Sequence, residues 1–183
     1  DYPFNPAELI MGAQGTFYAR ALDVNPKLTT DIMLQAAEHY GTSVVEVLQN
    51  CVIFNDKAHA AITDREVRDE KTILLEHGKP MIFGKNRDKG IRFNGTKLEV
   101  VKLGENGITE KDLLVHDETT EDTGVHMMLA RMKGDMPVAI GVIRSVKKKV
   151  YTQMFEEQME EVKATSKYKC VDDLLNSGDT WEV

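Results

Sequence analysis

The chain has 183 residues, 42% apolar and 29% charged, the mixture of an ordinary globular protein with room for one sizeable domain and an appendage. A net charge of −7 with few aromatics argues against a nucleic-acid partner, because a phosphate backbone selects basic surfaces. Two cysteines, far apart and outside any CxxC pair, exclude a disulfide framework and a self-contained zinc site, and point to a reducing, cytoplasmic setting. The longest apolar run, Met136 to Ile143, is too short to span a bilayer, so no membrane partner is expected. The chain opens without Met on a turn-like Tyr-Pro-Phe-Asn-Pro segment and is read as a piece of a longer protein.

Asn5 can cap a first helix, with Pro6 at its first position and Glu8 near the positive end of its dipole. Gly12 and Gly15 end it in a tight turn, and Thr16 to Ala19 reads as a short strand. Asn25-Pro26 starts a second helix to about Tyr40, with Ile32, Ala36 and Ala37 on one face. Val44, Val45, Val47 and Leu48 then form a short β-branched run that fits a strand buried on both faces, as in a parallel sheet. Residues 16–48 thus make one parallel strand–helix–strand unit. Glu46 is anomalous among these apolar residues and must be hydrogen-bonded, ion-paired or at a subunit contact.

Polarity changes at the end of that strand, in Gln49, Asn50, Cys51, Asn55 and Asp56, with Val52, Ile53 and Phe54 between them. In open α/β folds ligands bind beyond the carboxyl ends of such strands, so the stretch offers a thiol at a strand end and a polar tail where a cofactor could sit, though spacing alone does not make Cys51 a ligand. Pattern alone also allows a small buried hydrophobe there.

Thr63 to Lys71 is charged and helix-prone, a solvated surface segment, and His59 and His77 stand singly. Ile73–Leu75, Met81–Phe83, Ile91–Phe93 and Leu98–Leu103 are β-like, and Asn94-Gly95 signals a hairpin that would place Ile91 opposite Leu98. Lys85, Arg87, Lys89 and Arg92 cluster there, either as a solvated loop or as a contact for an anionic partner. Thr109 and Asp112 suit a helix cap. His116, Asp117, Glu118, Glu121, Asp122 and His126 invite a metal-site reading, but their spacing matches no recurrent ligand pattern. Pro137 to Ile143 is a second buried-strand candidate. Tyr151, Met154, Phe155, Met159 and Val162 share one face of a C-terminal helix, read as core packing, and Trp181 is expected to dock onto the body or a partner subunit. Cys170 is read as structural.

QNCVIFND (49–56) resembles the beta subunit of the 2-oxoacid:ferredoxin oxidoreductases, above all the 2-oxoglutarate type. DYPFNPAELIMGAQGTFYARALD, LEHGKPMIFG, KGIRF, GENGITEKDLLVHDE and LNSGDTWEV are similar to that subunit in the same order, so the resemblance covers nearly the whole chain, but only the family's second half. It implies an α/β fold: the back half of a thiamine-diphosphate-binding domain over 1–75, a parallel sheet with flanking helices. A smaller β-hairpin and helical region would occupy 76–183. It implies oxidative decarboxylation of a 2-oxoacid to acyl-CoA and CO₂, with electrons passed to ferredoxin, in complex with an alpha subunit. It makes Cys51 the fourth thiolate of a [4Fe–4S] cluster, and from their proximity the Asn50 and Asn55 amides are expected to tune that cluster through hydrogen bonds. The other three cluster cysteines and the Mg²⁺–thiamine diphosphate residues belong to the family's first half, so this chain alone is expected to hold no complete cofactor and to be inactive. Where the family commonly has Gly after Asn-Asp, this chain has Lys57, which puts the local turn in doubt. The alternative is a scaffolding half without chemistry, pairing with an alpha subunit or a second copy of itself.

Overall fold

The first helix (α1, Pro6–Gly12) starts as its sequence predicts: Asn5 Oδ1 accepts from the Ala7 amide at 3.0 Å and Pro6 follows at the first position. The computed structural model describes residues 4–179 and 181, so the opening turn lies partly outside the described residues. Next come β1 (Phe17–Leu22), α2 (Pro26–Glu38, capped by Asn25) and β2 (Ser43–Leu48). The expected charged helix becomes two single turns, α3 (Ala60–Thr63) and α4 (Arg68–Lys71). They are followed by β3 (Thr72–Leu74), β4 (Ile82–Phe83), β5 (Lys89–Phe93), β6 (Leu98–Lys102), α5 (Gly124–Ala130) and β7 (Val138–Ser145).

Four strands form one sheet in the order β2-β1-β7-β3. The pairs β1–β2 and β3–β7 are parallel, whereas β7 runs antiparallel to β1. The fold is therefore α/β with a mixed sheet, which corrects the wholly parallel sheet expected. β2 is also not buried on both faces. It lies at the sheet edge and is half-buried throughout, while β1, flanked on both sides, is buried at every position. Beside β3, Gly141 has φ 100°, and a Cβ there would meet the Leu75 carbonyl oxygen at 2.8 Å, so only glycine fits.

Alternation along β1 feeds two cores. Phe17, Ala19 and Ala21 pack with Val142 against Ile32 of α2, flanked by Leu28 and Ala36. Ala37, expected on that face, is exposed. Tyr18 faces the opposite side and joins a larger core made by α1, α5 and a second sheet, the antiparallel meander β4-β5-β6, through Met11, Met81, Phe83, Ile91 and Leu129. In the β5–β6 hairpin Ile91 pairs with Val100, and Phe93 with Leu98, two residues away from the expected register. The cause is local. Asn94 Oδ1 accepts from the Thr96 and Lys97 amides at 3.2 and 3.1 Å, which closes a four-residue loop where a two-residue turn was predicted.

Glu46 is satisfied. It lies opposite Arg20 in the parallel register, and its Oε2 accepts from Arg20 Nε and Tyr18 OH, both at 2.6 Å. Arg20 NH2 also reaches the Ala130 carbonyl at 3.3 Å. Burial, before any charge effect, pushes the Tyr18 hydroxyl above its ordinary range.

Arg144 of β7 is fully buried and ties distant segments together. Its Nε donates to the Gly15 carbonyl (2.9 Å), NH1 to the Thr120 carbonyl (2.8 Å) and NH2 to the Glu121 carbonyl (3.0 Å), and NH1 lies 3.0 Å from His126 Nδ1.

Contacts divide the chain into two units, one up to Lys148 and one from Lys149. The second holds α6 (Tyr151–Thr165) and α7 (Val171–Leu175). The apolar face of α6 is not core: Tyr151, Met154, Phe155, Met159 and Val162 are exposed, with the Tyr151 and Phe155 rings stacked at 6.1 Å. Trp181 is 83% exposed. Helical periodicity identified the face but not a partner for it.

Replacing Arg144 with Met removes the donor to the Gly15, Thr120 and Glu121 carbonyls and to His126 Nδ1. The expected loss is on the order of 3 kcal/mol, read as a lowered urea midpoint with an unchanged slope.

Candidate functional site

β1 and β2 end side by side, with Leu22 opposite Leu48, and the chain leaves β2 into an exposed loop containing Cys51. The thiol lies just past the carboxyl end of a parallel strand, where the sequence predicted it. It is half-exposed and free, so it is not the buried hydrophobe that pattern alone allowed. Within the loop the Asn55 amide donates to the Cys51 carbonyl at 2.9 Å, and the two residues form an isolated antiparallel bridge. The backbone amides of Phe54, Ile53 and Asn55 face the sulfur and hold its pKa below the ordinary thiol value. A soft sulfur donor with lowered pKa suits iron.

Cys51 belongs to no complete metal site of this chain's described residues. Among the described residues no group of three or more His, Cys, Asp or Glu could hold a metal ion. Chemically, the loop offers a single thiolate donor. Cys170 is exposed, in the separate C-terminal unit.

Asn50 and Asn55 have local duties. Asn50 Nδ2 donates to Asp56 Oδ1 at 3.0 Å, its Oδ1 accepts from the Lys57 amide at 2.7 Å, and its own amide donates to Asp23 Oδ2 at 2.8 Å. The Asn50 side-chain amide is therefore spent across the loop and not on the sulfur. Lys57 adopts φ 61°, the left-handed turn that glycine would take more readily. At the loop's tip Val52, Ile53 and Phe54 are 74%, 83% and 91% exposed.

The acidic histidine region has a structural explanation that sequence did not supply. His116 Nε2 lies 2.8 Å from the Val142 carbonyl and His126 Nε2 lies 2.8 Å from the Asp117 carbonyl. Each Nε2 must carry the hydrogen, since a carbonyl only accepts. His126 Nδ1 is then bare and accepts from Arg144. Both nitrogens of His126 are used by the protein, and burial lowers the pKa of both rings. Asp117 accepts from the Thr119 and Thr120 hydroxyls, and these bonds hold its carboxyl well below the usual range. The two histidines are buried struts within a largely exposed segment, and the described residues hold no group suited to a metal ion.

The basic cluster also divides. Lys89 pairs with Glu70 at 2.6 Å and Arg92 Nε with Glu99 at 2.8 Å. Among the described residues Lys85 and Arg87 enter no ion pair, and Arg87 lines a small pocket with Lys79, Glu76 and Glu110.

The fold and the loop thus define an α/β chain with a free thiol just past the carboxyl end of a parallel strand. No protein-family model and no solved structure matches it. The chain is 34% identical, over its whole length, to the 2-oxoglutarate oxidoreductase subunit KorB of Mycobacterium tuberculosis (strain ATCC 25618 / H37Rv). It matches a C-terminal half of that subunit, which bears out the resemblance read from the sequence. The chain spans about half the length of the curated relative it matches. Among the described residues no helix is long and apolar enough to cross a membrane.

Two outcomes test this geometry. Lys57→Val, which forces a β-branched residue into the left-handed turn, should destabilise the chain by about 1–2 kcal/mol in urea denaturation, while Lys57→Gly is tolerated. The histidines give a pH dependence. Both pKa values are lowered on folding from an unfolded value of 6.5, so below that pH the unfolded chain binds more protons than the folded one. Stability should be full near pH 7.5 and fall as the pH drops through about 6.5, with a smaller fall in His126→Gln, measured by urea midpoints at each pH.

Proposed function

We propose that this chain is the C-terminal half of the beta subunit of a 2-oxoacid:ferredoxin oxidoreductase, and that Cys51 supplies one thiolate to a [4Fe–4S] cluster completed by cysteines outside it. The observation that carries this reading is the placement of Cys51: a half-exposed thiol of lowered pKa at the carboxyl end of β2, in a chain similar over its full length to a 2-oxoglutarate oxidoreductase subunit. Three successive apolar side chains stand in solvent beside that thiol, and β2 offers an unpaired parallel edge. Both are surfaces that the rest of a longer subunit would cover.

In this reading the reaction is oxidative decarboxylation of a 2-oxoacid, 2-oxoglutarate in the first instance, to acyl-CoA and CO₂. Thiamine diphosphate and Mg²⁺ are held by residues outside this chain, and residues 1–75 complete the domain that binds them. The cluster, when bound, supplies one-electron transfer toward ferredoxin. The chain's own part is narrower: Cys51 holds one iron, and the loop around it fixes the direction from which the sulfur approaches. Partners are an alpha subunit and ferredoxin, in the reducing cytoplasm where two free cysteines persist. Lys85 and Arg87 are candidates to meet an anionic partner, either coenzyme A phosphate or acidic ferredoxin.

The test uses the complete subunit with its partner, purified anaerobically. Cys51→Ser should lose about one cluster's iron and labile sulfide while the fold stays intact by circular dichroism. Unchanged iron would show that Cys51 is no ligand and leave this half a scaffold. Charge reversal at Lys85 and Arg87 should weaken ferredoxin or coenzyme A affinity at low salt and have little effect at high salt.

A further inference from the structure

We propose that Asn50, anchored by Asp23, is a positioning residue for Cys51: it closes the ligand loop and holds the sulfur in place before iron arrives. The inference rests on the reading of Cys51 as a cluster ligand and adds what keeps that ligand in position.

The brace has two steps. Asp23 follows β1 directly, and its amide donates to the Leu48 carbonyl at the end of β2 at 3.3 Å. Its carboxylate takes the Asn50 amide at 2.8 Å, so the first residues beyond both strands are tied together. The Asn50 side chain then reaches over Cys51 to the far end of the loop. Its NH₂ holds Asp56 and its carbonyl oxygen holds the Lys57 amide. The left-handed turn at Lys57 ends the loop, and the Cys51–Asn55 bridge lies inside the closed ring.

Inside the ring, short backbone bonds such as the one from the Asn55 amide to the Cys51 carbonyl shape the turn but do not tie it to the strands. Val52, Ile53 and Phe54 are its apolar side chains, and all three point into solvent in this chain, so hydrophobic packing contributes little there. The three amides that face the sulfur belong to the same short turn, and their aim depends on the ring staying closed. Asn suits this geometry because its NH₂ donates to the Asp56 carboxylate while its carbonyl oxygen, a separate atom, accepts from the Lys57 amide. A ligand held by such outer hydrogen bonds gives up less freedom on binding metal, and removing them weakens metal sites typically by about 10–100-fold.

The experiment follows iron loss to a chelator from the complete, cluster-loaded subunit with its partner. Asn50→Ala should release iron about tenfold faster or more, and alter the electron paramagnetic resonance signal of the reduced cluster. Asp56→Asn, which keeps an oxygen to accept from Asn50 Nδ2, should keep the wild-type rate and signal. Cys51→Ser is the reference for a missing ligand. Wild-type rate and signal in Asn50→Ala, alongside cluster loss in Cys51→Ser, would overturn the brace and leave the ligand assignment standing. Full iron retention in Cys51→Ser would overturn both. Amide hydrogen exchange at Asn55 and Lys57 covers poor loading of the Asn50 variant. Faster exchange confined to the loop supports the brace, and wild-type exchange there overturns it.

Discussion

A buried guanidinium holds the larger unit together. Arg144 carries its charge into the interior and is balanced by three backbone carbonyls and one imidazole, and among the described residues it forms no ion pair. Such a charge is tolerated only when its donors are matched. Matching them fixes the α1–β1 turn at Gly15, the 120–121 segment and α5 against β7 at once. It also dictates the chemistry of His126, which must remain neutral with a bare Nδ1 to accept from Arg144. Metal binding by that ring would therefore dismantle the strut. A cluster of acidic residues and histidines that looks like a metal centre in sequence is here committed to holding β7 in the middle of the sheet.

β7 in turn decides where the candidate site lies. Inserted between β1 and β3, it runs antiparallel to β1 and leaves β2 on the outside. The strand that delivers Cys51 thus ends beside open solvent, with an unpaired edge on one side and an apolar loop tip at its end. A chain of about half its relative's length has its candidate ligand on this border. Arg20 and Glu46 steady the same region from within, joining β1 to β2 in register and to the Ala130 carbonyl behind the sheet.

Several features were legible in the sequence because they depend on near neighbours. Asn5 and Asn25 marked helix starts through caps that act over two or three residues. The β-branched run 44–48 gave a strand, and the polar residues after it marked the loop. Glu46 demanded a partner, though its spacing could not say that the partner was Arg20. The hairpin was found but its register was not, because Asn94 used its side chain to close a longer loop. The α6 face was found, but periodicity reports that a face is apolar and not whether anything covers it.

The sequence by itself determined the α/β class, the position of Cys51 after a strand and the likeness to an oxidoreductase subunit, all of which rest on local pattern or on residues in order. Only the tertiary structure decided that β7 divides the sheet, that β2 is an edge, that His116 and His126 are buried struts and that Asn50 spans the Cys51 loop. Those outcomes depend on pairings between residues as far apart as Gly15 and Arg144, and on which donors remain once every buried side-chain polar atom among the described residues has found a partner.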